Sequence, residues 1–326
     1  MFDLLLVLVL SIHLLAANVA AAAPLVCLAL DIRESRRGDA LAGDVGRWLL
    51  RMSLAGLALA LTLGGGALAI VWYSDWERFS RAAAWVPVSR YWWAVPELAL
   101  YFVCVAAYLK LWKPGVTRSG RAVWLRRALG LVASTNLAYH FPLLFLAIGV
   151  YSARGISEPV NFRAALVDPE IASQFIHHLL ASVAVVGVVM MGYALRMERA
   201  GRTTDDVHRV AIWGGRVALV PTLLQWLAGL YVLLQLPERS RAGLLGGDVL
   251  GSCLFGAALV GVVVLMHRLA GVAFGETERR NLISSMALMA IVVVTMVGAR
   301  HRARHEVRMV ATQATRPLTL HLAAVH

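Results

Sequence analysis

Eight apolar stretches, each long enough to cross a bilayer, recur along a chain of 326 residues and limit what it can fold into. They run at about 4–30, 48–73, 91–112, 126–151, 172–196, 212–236, 247–270 and 281–299, against roughly 20 apolar residues needed for a hydrocarbon core of about 30 Å. Composition agrees: 60% hydrophobic residues, 15% charged residues and a mean hydropathy of +0.70 describe a chain whose solvent is lipid. The expectation is an all-α, polytopic membrane helix bundle of about eight transmembrane helices. It forms a single domain over 1–326, with residues 300–326 as a peripheral tail. The first stretch lacks the basic start of a signal peptide and is too long for its apolar region, so it counts as a true helix.

The 31 basic residues set the expected orientation. Arg33, Arg36, Arg37, Arg47 and Arg51 follow the first stretch, and Lys110, Lys113, Arg118, Arg121, Arg126 and Arg127 follow the third. Arg196, Arg199, Arg202, Arg209 and Arg216 follow the fifth, and Arg268, Arg279 and Arg280 the seventh. The remaining connections carry fewer, which places the N-terminus outside. The tail, with Arg300, Arg302, Arg304, Arg308 and Arg316, runs against this pattern. The net charge of +12 is therefore mainly a topology signal, and short basic loops without aromatic surfaces argue against nucleic acid as a partner.

Cys27, Cys104 and Cys253 all fall in apolar stretches, and no C-x-x-C-H is present, so any haem is held noncovalently. A helix rises about 1.5 Å per residue, which puts His13 about 13 Å, His177 about 8 Å, His140 about 16 Å and Glu97 about 9 Å below the outer face. The ionisable groups of interest thus gather in the outer half. A histidine in hydrocarbon is costly unless it is paired or functional, and neutral imidazole is a common ligand for haem iron. Small residues that would admit a flat ring follow two of them: Ala16, Ala17 and Ala20 to Ala23 after His13, and Ala181 and Gly187 after His177.

Plainer roles stand beside these. His13 suits a helix-to-helix hydrogen bond, and His140 could satisfy backbone groups freed by Pro142. Glu97 follows Pro96 in what reads as the first turn of its helix, where the dipole favours a carboxylate. His177 and His178 are about 100° apart on a helix and cannot both face one cofactor, so His178 reads as an interfacial neighbour. Trp72, Trp76, Trp92 and Trp93 read as interfacial anchors.

Taken in order, these segments resemble subunit I of the cytochrome bd quinol oxidases over about the first two thirds of the chain. Phe175-Ile176-His177 resembles the family's haem-helix motif, and VNFRAALVDPEIASQ before it resembles the short lead-in helix and D-P turn. STNLAYHFPLLFLAIGV is similar to the preceding helix, SIHLLAANVAAAAPLVCLALDIRES to the first and PELALYFVCVAAYLKLWK to the third. The resemblance implies that His177 is an axial ligand of a low-spin haem b, that His13 serves a second haem, and that Glu97 lies near the haems. It also implies the inner membrane of a bacterium, with the haem side facing the periplasm.

The chain departs from that family in three places. PERSRAGLLGGD stands where the family has a long quinol-binding loop with a G-R-Q-P-W signature, and reads as a short turn. No methionine lies in the outer part of the seventh stretch; Cys253 or His140 are the candidates for the second ligand. The eighth stretch is also the last. The leading expectation is a haem b-binding electron-transfer subunit, with one or two haems, which moves electrons between the quinone pool and a cytochrome c or iron–sulfur partner in a hetero-oligomeric complex. The alternatives are a bd-type quinol:oxygen oxidoreductase subunit, and a non-redox transporter or structural subunit whose histidines bind a metal or relay protons.

Overall fold

The computed structural model describes residues 2–113 and 120–314, with side chains over 3–113 and 120–303. The chain is all-α. Among the described residues, eight helices are long and apolar enough to cross a membrane: α1 (Phe2–Arg37), α2 (Ala40–Ser74), α4 (Val88–Leu111), α5 (Gly120–Arg154), α7 (Pro169–Arg199), α8 (Thr204–Gln235), α10 (Val249–Phe274) and α11 (Arg279–Ala314). Three short helices, α3 (Trp76–Ala84), α6 (Phe162–Val167) and α9 (Glu238–Ala242), lie between them.

The eight expected stretches coincide with these helices, most of which run on beyond the apolar part. Apolarity marks the thickness of hydrocarbon, whereas helices continue until capping stops them. Thr203 caps α8 by accepting from the Asp206 amide, so the polar TDDVHR turn is helical. Asp168 accepts from the Glu170 and Ile171 amides with Pro169 at the first helical position, which starts α7 sharply. At the far end of α10, Gly275 adopts φ 120°, a left-handed stop.

Four sequential hairpins organise the bundle, α1 with α2, α4 with α5, α7 with α8, and α10 with α11. α1 and α7 are central; α1 also packs on α5, α7 and α11, and α7 on α5 and α11. Small residues make these approaches possible. A Cβ added at Gly187 would lie 2.4 Å from the Ala218 backbone nitrogen on α8, and one at Gly214 would lie 2.7 Å from the Gly187 carbonyl.

The structure corrects several expectations. Ala20 to Ala23 are buried in the core, with Ala20 and Ala21 carbonyls accepting from Tyr101 and Ser134. They and Gly187 are helix-packing surfaces, not room for a flat ring. Pro96 lies inside α4, which begins at Val88, so Glu97 is well past the first turn. The 238–247 segment is α9 followed by a kink at Leu245 and Gly246, the latter at φ 126°, not a simple turn. Arg126 is a buried residue of α5, not a loop charge. The tail from 300 begins as a continuation of α11, with Ala303 buried and Arg302 paired to Asp248; residues 315–326 lie outside the described part.

Candidate functional site

Asp168 and Pro169 fix the start of α7, and helical spacing then sets Gln174, His177 and His178 on neighbouring positions of one side. His177 is half-buried, and its Nδ1 is buried without a hydrogen-bond partner. Its ring faces Gly229 on α8, where an added Cβ would sit 3.5 Å from Cε1. A Cβ there would make ordinary van der Waals contact with the imidazole. The His177 carbonyl accepts from Gln225 at 3.5 Å. The His178 carbonyl belongs to a different contact: Ser182 Oγ lies 2.9 Å from it and 2.9 Å from Asn18 Oδ1 on α1.

His13 sits between α1 and α2. Its Nδ1 is 2.8 Å from the Ala60 carbonyl oxygen. A carbonyl only accepts, so Nδ1 carries the proton and Nε2 keeps a lone pair, the arrangement by which a backbone carbonyl orients a ligating imidazole. Gly64 admits the ring, since a Cβ there would approach Cε1 to 2.9 Å.

His140 joins Glu97 and Arg90. Arg90 Nη1 donates to Glu97 Oε1 at 2.6 Å, and His140 Nδ1 is 3.3 Å from the same oxygen without hydrogen-bond alignment. Asn136 holds the Glu97 carbonyl at 2.8 Å, and Phe162 of α6 lies under the Arg90 guanidinium at 4.8 Å. Cys253 is exposed on α10, so it is not presented to the bundle interior.

The three histidines thus occupy three different seams, α1/α2, α4/α5 and α7/α8. Among the described residues no three or more His, Cys, Asp or Glu side chains gather closely enough to hold a bare metal ion. A haem asks less, because the porphyrin supplies four ligands and the protein one or two. His177 fits that demand through its unpartnered ring nitrogen, and His13 through its oriented Nε2. His140 shares the first property but also lies against a carboxylate.

No family model and no curated protein matches this chain.

The most buried ion pair among the described residues lies at the opposite end of the bundle, and no single motif marks it in the sequence. Asp31 has no exposed side-chain surface and accepts from Arg126 Nη2 at 2.6 Å and Nε at 2.8 Å, with Arg127 Nη2 at 3.1 Å. Tyr108 and Ser35 complete the set. The signal was available: Asp31 ends one apolar stretch and Arg126 begins another that runs the opposite way, which sets both at one depth. Nearby, Arg47 pairs with Glu34 and Asp44, and Trp112 donates to Glu34.

Loop carboxylates at both ends are held ionised. Burial pushes Asp39 up, but hydrogen bonding to Arg33 and the Arg209 charge outweigh it and leave the carboxyl below its ordinary range. Asp168 behaves alike, with Arg154 and the α7 amides overcoming burial. Arg302 draws the Asp248 carboxyl down.

Proposed function

We propose that this chain is a haem b-binding membrane subunit related to cytochrome bd subunit I, which passes electrons between the quinone pool and a partner redox protein. One observation carries the reading. Among the described residues, three buried side-chain nitrogens lack a hydrogen-bond partner, and two belong to His177 and His140. Leaving such a group unpaired costs about 1–3 kcal/mol, and holding a haem iron would remove that cost for an imidazole nitrogen.

His177 would hold the first haem and His13 a second. When bound, haem supplies a one-electron couple. The chain's part is to hold the imidazoles in fixed tautomers, to surround them with apolar helices that exclude water, and to place Glu97 as a proton acceptor. Arg90 holds the Glu97 carboxylate in place, and His140 Nδ1 lies 3.3 Å from the same oxygen. Such shells and charges tune a haem potential. The setting is a bacterial inner membrane with the N-terminus and haems on the periplasmic side, within a hetero-oligomer that includes a cytochrome c or iron–sulfur subunit.

A pyridine haemochrome assay with protein quantitation, on the purified chain, tests this directly. One or two haems b per chain are expected, and His177→Ala removes one set of reduced-minus-oxidised bands. A haem-free protein that takes up metal ions turns the reading toward a transporter, and a haem d band with quinol-driven oxygen uptake toward a true bd-type oxidase.

A further inference from the structure

Two clefts open at the end of the bundle where the basic connections gather, and both carry arginines. In the first, about 560 Å³ between the α1–α2 and α7–α8 connections, the charges are largely matched. Asp39 takes Arg33 and Arg209, and Asp44 takes Arg202. The second, about 550 Å³, lies between α7 and α11 and is built differently. Leu195, Ile283, Met286 and Ala287 give it an apolar wall, while Arg196 and Arg199 are its only charged residues.

Helical spacing explains the shape. Gly192, Leu195, Arg196 and Arg199 recur on one side of α7, which ends in the turn before Ala200. From Arg199 to Gly192 that side runs about 10 Å toward the middle of the span, at roughly 1.5 Å per residue. Ile283, Met286 and Ala287 form the facing side of α11, and Arg279, four residues before Ile283, continues it to the helix start. Ile283 and Ala287 are exposed, so the cleft opens on the outside of the bundle, the lipid side of two membrane spans. Arg196 and Arg199 are exposed too, and among the described residues neither guanidinium has a hydrogen bond or a carboxylate within ion-pair distance. Glu198 falls on another side of α7.

We propose that this cleft holds one anionic phospholipid of the adjoining leaflet. Its acyl chains lie along Leu195, Ile283, Met286 and Ala287, and its phosphate sits at the polar end against Arg196 and Arg199. The planar arginine fork suits phosphate oxygens. The positive-inside rule assigns this end to the cytoplasmic leaflet, where basic pockets between spans bind anionic headgroups. A topology signal needs charge but no cleft, and an apolar helix from another chain would fill the groove without answering the two charges. The site does not depend on the haem function.

The test is native mass spectrometry of the full chain in nonionic detergent, titrated with phosphatidylglycerol, phosphatidylcholine or inorganic phosphate. One phosphatidylglycerol binds at least about tenfold more tightly than phosphatidylcholine, and phosphate does not displace it. Arg196→Gln with Arg199→Gln abolishes the preference, and lysine at both positions keeps most of it. Arg36→Gln with Arg37→Gln, the same charge change at the same end, leaves it intact. Ala287→Phe fills the groove and weakens binding of both lipids. Equal affinity for the two lipids overturns the proposal, as does displacement by phosphate, a preference that survives without Arg196 and Arg199, or an equal loss in the Arg36 and Arg37 variant. If Ala287→Phe gives no monodisperse protein, the exposed arginine pair decides alone. A wild-type dimer that Ala287→Phe dissociates gives the cleft to a second copy and overturns the lipid assignment.

Discussion

Asp31 and Arg126 form a two-bond ion pair, 2.6 and 2.8 Å, between α1 and α5, with the carboxylate wholly buried and the guanidinium nearly so. Two charges taken out of water together repay their desolvation only through such geometry. Arg127, Tyr108 and Ser35 satisfy what remains of the carboxylate.

Removing one partner leaves the other charged and buried. Asp31→Asn is expected to destabilise the folded protein by about 3–5 kcal/mol, seen as loss of the monodisperse peak on heating in detergent. Replacing Asp31 and Arg126 together by leucine and methionine recovers much of that loss. A double variant as unstable as the sum of the two single ones would contradict the account.

At Gly187 the α7 and α8 backbones approach so closely that a methyl group has no room. Gly187→Ala should cost about 1–3 kcal/mol through forced backbone shifts. Gly256 on α10 meets nothing within 4 Å, so Gly256→Ala is neutral or slightly stabilising there. Equal melting temperatures for the two variants would argue that the helix seam is looser than described.

The Asp168–Arg154 pair gives an acid limb. Because the folded carboxyl titrates below its unfolded value of about 3.9, its contribution is present above that pH and is lost as pH falls through the lower folded value. Asp168→Asn keeps the helix cap but not this dependence. The gap in melting temperature between wild type and Asp168→Asn should therefore narrow progressively as pH falls below about 3.9. A gap constant with pH would assign the effect to the cap.

Gly64 and His13 offer a test of ligand placement that leaves the imidazole intact. Gly64→Val drives a side chain into the ring, which moves Nε2 while the Ala60 carbonyl remains. On the proposed haem function, the expected result is a shifted or lost spectrum for one haem, with the bands that depend on His177 unchanged. An unaltered spectrum removes His13 from the ligand set.

The eight spans were legible because hydrocarbon demands a continuous apolar run, which a single sequence displays. The capping of α7 was legible for a local reason, the D-P dipeptide at 168–169. What escaped was tertiary. Arg126 looks like any loop arginine until Asp31, 95 residues away, is placed at the same depth. The alanines after His13 look like space until their neighbours fill it, because small residues serve close packing and cofactor clearance alike. Glu97 looked like a helix-start residue because Pro96 is a common opening signal, although a membrane helix tolerates proline internally. The histidines themselves were legible as costly groups, but their distribution among three seams was not.

That distribution bears on how the protein is made. His13 meets Ala60, His140 meets Glu97 and His177 faces Gly229, each across a single hairpin of neighbouring spans. Each of these three imidazoles thus meets a protein partner within one hairpin, and a hairpin that forms before the bundle closes already brings that pair together. These contacts need no long-range search when the four hairpins meet.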